Sequence, residues 1–239
     1  MKTLLKNNNE GCIVTFGKYA FKHKVRRSYK NTIRLLIADD HPHLISGLEK
    51  DLSADAQIRI IGTASSYDKL LETAERLQPN IVLLDLKMPG MEKYNLRNYI
   101  ARLRAINHCK VVIFTNETGW ARIYKCLEFG AIGYIEKAIS FGKLALFIHK
   151  IHEDEEIIIY TQDKLPEMNF SDRQKEILHY LASGKENDEI AFFLGLGIKS
   201  VQSYIDIIRN KISDGIGIHP IRPRMLMFLA SKFGFGEII

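Results

Sequence analysis

Five polar side chains in this sequence stand where they could handle a phosphoryl group together. Asp39 and Asp40 follow the apolar run Ile33-Arg-Leu-Leu-Ile-Ala38, and Asp85 follows Ile81-Val-Leu-Leu84. Thr115 closes the run from Val111, and Lys137 follows Gly133-Tyr-Ile-Glu136. Three carboxylates brought together repel one another, and that arrangement is costly unless a cation sits among them. Hard divalent ions prefer oxygen ligands, and Mg²⁺ in particular combines a few carboxylates with water and phosphate oxygens. A hydroxyl and an ammonium beside such an ion complete a set suited to a phosphoryl group. Read alone, Asp85 has a second explanation, since a carboxylate next to the turn at Pro89-Gly90 can also serve as a helix cap.

Convergence requires a scaffold that ends several strands at one rim. The apolar runs are short and bounded by turn residues, such as Pro79-Asn80 before Ile81, which marks strands buried on both faces of a parallel sheet. A further strand is expected over 58–64. Between them lie helical patterns over 42–52, 66–78, 95–106, 118–129 and 141–152, each with an apolar stripe at helical spacing. The expected fold class is α/β, a doubly wound five-stranded parallel sheet of the flavodoxin-like kind, followed by an all-α unit. In open sheets of this type the carboxyl ends of the strands form the ligand-binding edge.

With these residues in place, the stretch from 33 to about 152 resembles the receiver domain of bacterial two-component response regulators. Asp-Asp-His-Pro at 39–42, Leu-Asp-Leu-Lys-Met-Pro-Gly at 84–90, Thr115 and Lys137 match its motifs in order and spacing. The resemblance implies that Asp85 is the phosphoacceptor. It implies that Asp39, Asp40 and Asp85 hold Mg²⁺, that Thr115 contacts the phosphoryl group and that Lys137 pairs with it. Tyr134 matches the aromatic residue that turns inward with the threonine on activation. His41 and His43 could be metal ligands, but read more simply as part of the loop after the acid pair.

From Phe170 onward the pattern is helical. Ser171 is an expected N-cap with Asp172 in the first turn, and Gly184 ends that helix. A short helix spans 186–194, Gly195-Leu-Gly197 makes a turn, and a third helix spans 200–212 with Val201, Ile205, Ile208 and Ile212 inward. Pro223 suits the first turn of a fourth. Two helices around a glycine-bearing turn form a helix-turn-helix. Residues 168–235 resemble the LuxR-type DNA-binding domain of the NarL/FixJ response-regulator group, through Ser171, Arg173, Glu176, Ile177, Leu178, Gly184, Asn187, Glu189, Ile190, Ala191, Ser200, Val201, Lys211 and Ile212. The resemblance implies DNA contacts from Ser200, Gln202, Ser203, Tyr204, Asp206, Arg209, Asn210 and Lys211. The outward face departs from the family pattern: Gln202 stands where a lysine is usual, and Tyr204 where a histidine is usual. Asp206 would border phosphates, whereas Gln202 and Asn210 carry amides that pair well with adenine. A helix face that meets protein rather than DNA is the alternative.

The net charge of +6 is concentrated in residues 1–32, which hold eight Lys/Arg and one acid. No sustained periodicity runs through this leader, which reads as a flexible basic arm. It could be an extension without a role, an arm adding phosphate contacts on nucleic acid, or a targeting leader. The expected organisation is leader 1–32, receiver 33–152, linker 153–168 and helix-turn-helix 169–239. Cys12, Cys109 and Cys126 lack metal or disulfide spacing and fit a reduced cytoplasmic protein. No apolar run reaches membrane length, and no nucleophile–base pair outside the acid pocket suggests an enzyme. The resemblance implies a cognate sensor histidine kinase, promoter DNA and a homodimer on phosphorylation. The competing function is a phospho-dependent protein-interaction module.

Overall fold

The computed structural model describes residues 12–16, 32–154 and 157–235. Two compact units meet in the chain between Asp163 and Lys164.

The first unit is a seven-stranded sheet. Its strands are β1 (Cys12–Phe16), β2 (Ile33–Ala38), β3 (Ile58–Ala64), β4 (Ile81–Leu84), β5 (Lys110–Thr115), β6 (Gly133–Glu136) and β7 (Ile157–Thr161), in the spatial order β1-β7-β6-β5-β4-β2-β3. The neighbours from β3 to β7 pair in parallel, and β1 runs antiparallel to β7. Helices α1 (Pro42–Leu52), α2 (Tyr67–Leu77), α3 (Leu96–Ala105), α4 (Trp120–Glu128) and α5 (Phe141–Asp154) connect the strands. The doubly wound parallel sheet is as expected, with one parallel strand more. Alternate residues of the central strands feed opposite cores, since side chains in a strand alternate. Leu35, Ile37, Val112, Phe114 and Ile135 pack with Leu48 of α1 and with Leu144, Phe147 and Ile148 of α5.

Local chemistry explains the helix boundaries. Ser66 caps α2 by accepting from the Lys69 N–H at 3.4 Å, and Asn95 caps α3 by accepting from the Asn98 N–H at 3.3 Å, each satisfying a donor left over in the first turn. Lys110 Nζ donates to the carbonyls of Ile151 and His152 at 2.6 and 2.9 Å, a cation at the negative end of α5.

Two expectations about the ends of this unit need correction. Ile157–Thr161 is not linker: its β-branched run pairs along β6, with Gly133 opposite Ile158 and Ile135 opposite Tyr160. Such residues pack well on a pleated sheet, and Ile158, Ile159 and Tyr160 are buried. Within the basic leader, Cys12–Phe16 forms the strand β1, in register with β7 from Cys12↔Thr161 to Phe16↔Ile157. The remaining leader residues lie outside the described ones, except Thr32.

The second unit is helical, with α6 (Asp172–Ala182), α7 (Asn187–Leu194), α8 (Ile198–Ile216) and α9 (Pro223–Ala230). Ser171 caps α6 in a reciprocal box: its hydroxyl accepts from the Gln174 N–H at 3.3 Å and its own N–H donates to Gln174 Oε1 at 3.0 Å. Gly195, left-handed with φ +62°, ends α7 and starts the turn into α8. Ile177, Leu178, Leu181, Ile190, Val201, Ile205, Ile208 and Ile212 form the core. The expected third helix begins two residues earlier and runs four residues further than its sequence pattern indicated.

Candidate functional site

The sheet's backbone ladder places the pocket. Each strand end continues its pairing by one residue, so the Asp39 N–H donates to Ala64 O at 2.9 Å, the Asp85 N–H to Ala38 O at 2.9 Å, and the Lys137 N–H to Thr115 O at 3.0 Å. The acids and the lysine are therefore held at one rim by strands buried on both faces, in the manner predicted for the carboxyl edge of such a sheet.

Their side chains converge. Lys137 Nζ lies 2.6 Å from Asp39 Oδ2 and 2.6 Å from Asp85 Oδ2. All three side chains are at most 6% exposed. Buried charges of this kind persist only when paired, and one ammonium here serves two carboxylates. Asp40 stands at the mouth with its side chain 32% exposed. One ligand atom from each of Asp39, Asp40, His41 and Asp85 lies within 4.8 Å of the others. Asp39 Oδ2 meets Lys137 only as an ion pair and accepts no aligned hydrogen bond. An acid cluster with an incompletely satisfied buried oxygen fits a hard divalent cation.

His41, expected to belong to the loop after the acid pair rather than to bind metal, places its Nδ1 2.9 Å from Asp39 Oδ1 and 3.0 Å from Asp40 Oδ1. Its position immediately after the acid pair was the available signal.

Thr115, fully buried, ends β5, the neighbour of the strand that leads into Asp85, and its Oγ1 accepts from the Glu117 N–H at 3.3 Å. The Tyr134 ring is also fully buried, and its hydroxyl donates to Glu117 O at 2.9 Å. Tyr134 thus occupies the inward position. Burial pushes its phenol far above the ordinary range, so it acts as a hydrogen-bond donor at any physiological pH.

In the helical unit, α8 presents Ser200, Gln202, Ser203, Asp206, Asn210 and Lys211 to solvent, with Tyr204 and Arg209 half-buried. Several of these groups are already engaged. Arg209 donates to Asp206 Oδ1 at 2.6 Å, and Gln202 Oε1 accepts from Asn187 Nδ2 at 3.3 Å. Lys211 donates to Asn169 O and lies 5.5 Å from the Phe170 ring centroid, so its ammonium is bound to the start of its own domain. Phe192, Phe193, Ile198 and Ile207 are at least half exposed. Among the described residues, no single helix is long and apolar enough to cross a membrane.

An acid cluster bridged by one lysine at the carboxyl rim of a doubly wound sheet, joined to a helix-turn-helix, defines a response regulator. Comparison with known proteins agrees. Residues 35–149 match the response regulator receiver domain, and residues 168–213 match the luxR family of bacterial regulatory proteins. The transcriptional regulatory protein LiaR of Bacillus subtilis is 29% identical over 193 residues, covering 75% of this chain and 90% of LiaR. The response regulator protein VraR of Staphylococcus saprophyticus is 27% identical over 190 residues, with the same coverage. The fold of RcsB from Salmonella enterica serovar Typhimurium, solved bound to promoter rprA with a phosphomimetic, matches at a TM-score of 0.51 and 19% identity, over 84% of this chain and all of RcsB. The chain belongs to the NarL/LuxR family of two-component response regulators, and its role is regulatory rather than that of a conventional enzyme. The receiver domain implies a sensor kinase as partner, and the luxR-type domain implies promoter DNA.

Proposed function

We propose that Asp85 is the residue phosphorylated in this response regulator, with a cognate sensor histidine kinase as donor. The observation that carries this reading is the single ammonium of Lys137 placed 2.6 Å from both Asp39 and Asp85. Lys137 holds the Asp85 carboxylate at the rim and offers the phosphoryl oxygens a positive charge, electrostatic assistance of the kind phosphoryl transfer chiefly needs. A carboxylate oxygen of Asp85 bonds to phosphorus as the phosphorus–nitrogen bond of the donor phosphohistidine breaks, giving an acyl phosphate and a free imidazole. Asp39, Asp40 and Asp85 would hold Mg²⁺, which supplies further neutralisation of the phosphoryl charge. Thr115 would then exchange its hydrogen bond with the Glu117 N–H for one to the new phosphoryl oxygens, with Tyr134 buried behind it. A local charge thereby biases a two-state element.

The output is homodimerisation and promoter binding in the cytoplasm through α8, with Ser200, Gln202, Ser203, Tyr204, Asp206, Arg209, Asn210 and Lys211 along the groove. The exposed Phe192, Phe193 and Ile198 favour a second reading, in which this unit meets a protein partner. Acetyl phosphate with Mg²⁺ is expected to add one phosphoryl group to the wild-type chain in an intact-mass measurement, and Asp85→Asn to abolish the addition. An unmodified wild type would remove the basis of the assignment. Gel shift with genomic fragments separates the two outputs: a shift weakened by Gln202→Ala supports DNA, and none at low salt supports the protein partner.

A further inference from the structure

Glu136 is a charged residue only 4% exposed that phosphorylation of Asp85 does not use. It immediately precedes Lys137, and the chain just beyond β7 engages both its oxygens. The Thr161 hydroxyl donates to Oε1, and the Gln162 N–H donates to Oε2 at 2.9 Å. Thr161, itself fully buried, accepts in turn from the Asp163 N–H at 3.0 Å. The Asp163 side chain then reaches the loop that leads into α4, where its Oδ2 accepts from the Gly119 N–H. Gly119, with φ +106°, ends the loop that starts at Thr115 and leads into α4.

Residues 161–163 are therefore tied at two points, to Glu136 next to Lys137 and to Gly119 in the loop that follows Thr115. Removing a hydrogen bond from a buried carboxylate is expensive, so this segment must follow the strand end that holds it. Asp163 is also the last residue of the first unit, and the chain continues directly into the luxR-type domain.

We propose that Glu136 and Asp163 clamp residues 161–163 to the phosphoryl pocket, and that phosphorylation opens the Gly119–Asp163 half of this clamp to signal into the luxR-type domain. The inference rests on Asp85 being the phosphoacceptor. As Thr115 turns toward the phosphoryl group, the loop through Glu117 to Gly119 moves and withdraws its N–H from Asp163, while Glu136 keeps hold of Thr161 and Gln162. Asp163 is then free to change the path of the chain after it. Coupling of this kind is reciprocal: a variant that has already lost the bond needs less phosphoryl ligand to switch.

The experiment uses the full chain, Mg²⁺ and beryllofluoride. Its reporter is the fluorescence of Trp120, the single tryptophan, which is buried and adjacent to Gly119. Asp163→Ala is expected to lower the beryllofluoride midpoint about fivefold or more, the lower end of typical coupling between sites. Asp163→Asn keeps an acceptor oxygen and should stay within about twofold of wild type, with the Ala-to-Asn contrast setting the coupling. Amide exchange adds a readout that general destabilisation would not reproduce. Beryllofluoride should expose the Gly119 N–H in wild type while the Gln162 N–H stays protected, and Glu136→Ala, which removes both acceptor oxygens, should release Gln162 without ligand. An Asp163→Ala midpoint equal to that of a responsive wild type would overturn the clamp and leave the Asp85 assignment standing. A wild type that gives no response to beryllofluoride would overturn both.

Discussion

In the receiver domain, charged groups reach one another from the ends of separate strands. On α8 the acid and base lie three residues apart on one helix. Lys137 joins Asp39 of the first parallel strand to Asp85 of the third, and all three are nearly sealed from water. Arg209 and Asp206 are 24% and 51% exposed in their side chains and pair along the helix surface. The first arrangement exists only if the whole sheet forms, so any one member is dear to lose. The second is local and screened, and its members can be exchanged with little effect on the fold.

Lys137→Ala probes the receiver side of that contrast most severely. It leaves two buried carboxylates without their counter-charge, and breaking a buried pair by truncating one partner costs about 3–5 kcal/mol. Urea unfolding in chelator should show that loss, and millimolar Mg²⁺ should recover part of it. A variant as stable as wild type in chelator would erase the distinction between the two regions.

A gain of function is expected from Asp206→Ala. Freed from its acid, Arg209 becomes available to a DNA phosphate. Affinity at low salt should rise about tenfold, and the log–log salt slope should steepen by about one. Binding titrations at several salt concentrations measure both, while thermal stability should change by less than about 1 kcal/mol. Unchanged affinity with an unchanged slope would place the output of this helix on protein rather than DNA.

The smallest effect belongs to a pair of intermediate kind. Asp55 accepts from His149 at 2.7 Å across the α1–α5 side of the sheet, and this hydrogen bond holds the Asp55 carboxyl below its usual range. A lowered folded pKa means that the stabilisation is present above the unfolded pKa and disappears as pH falls through the folded one. Asp55→Ala should therefore cost under about 1 kcal/mol near neutrality, with the difference from wild type vanishing in acid. Denaturant midpoints across that range test it, and a difference that persists in acid would point to packing instead.

The pocket was legible because its members share a pattern: an apolar run, then a polar residue at the strand's end. The physics of parallel sheets brings such ends together, so Asp39, Asp40, Asp85 and Lys137 could be grouped without coordinates. Strand β7 was not legible in the same way. Ile157-Ile-Ile159 is too short for its period to separate strand from locally packed linker, and its partners lie far away in the sequence. The bonds from Thr161 and Asp163 to Glu136 and Gly119 depend on that strand being placed first. On α8, helical spacing placed Gln202, Ser203, Asp206 and Asn210 outward, as found, while Arg209 is half-buried, and the Asp206–Arg209 pairing follows from the same spacing.

Strand β1 carries a consequence for how the chain is made. Cys12 is paired with Thr161 across nearly the whole receiver domain. During synthesis on a ribosome, Cys12–Phe16 emerges early but waits until Ile157–Thr161 has been translated before it has a backbone partner. Pairing over such sequence distance is slow, and an unmatched strand edge invites association with other chains. The protein therefore passes its most adhesive moment as a nascent chain, and closes that edge only as the luxR-type domain begins to appear.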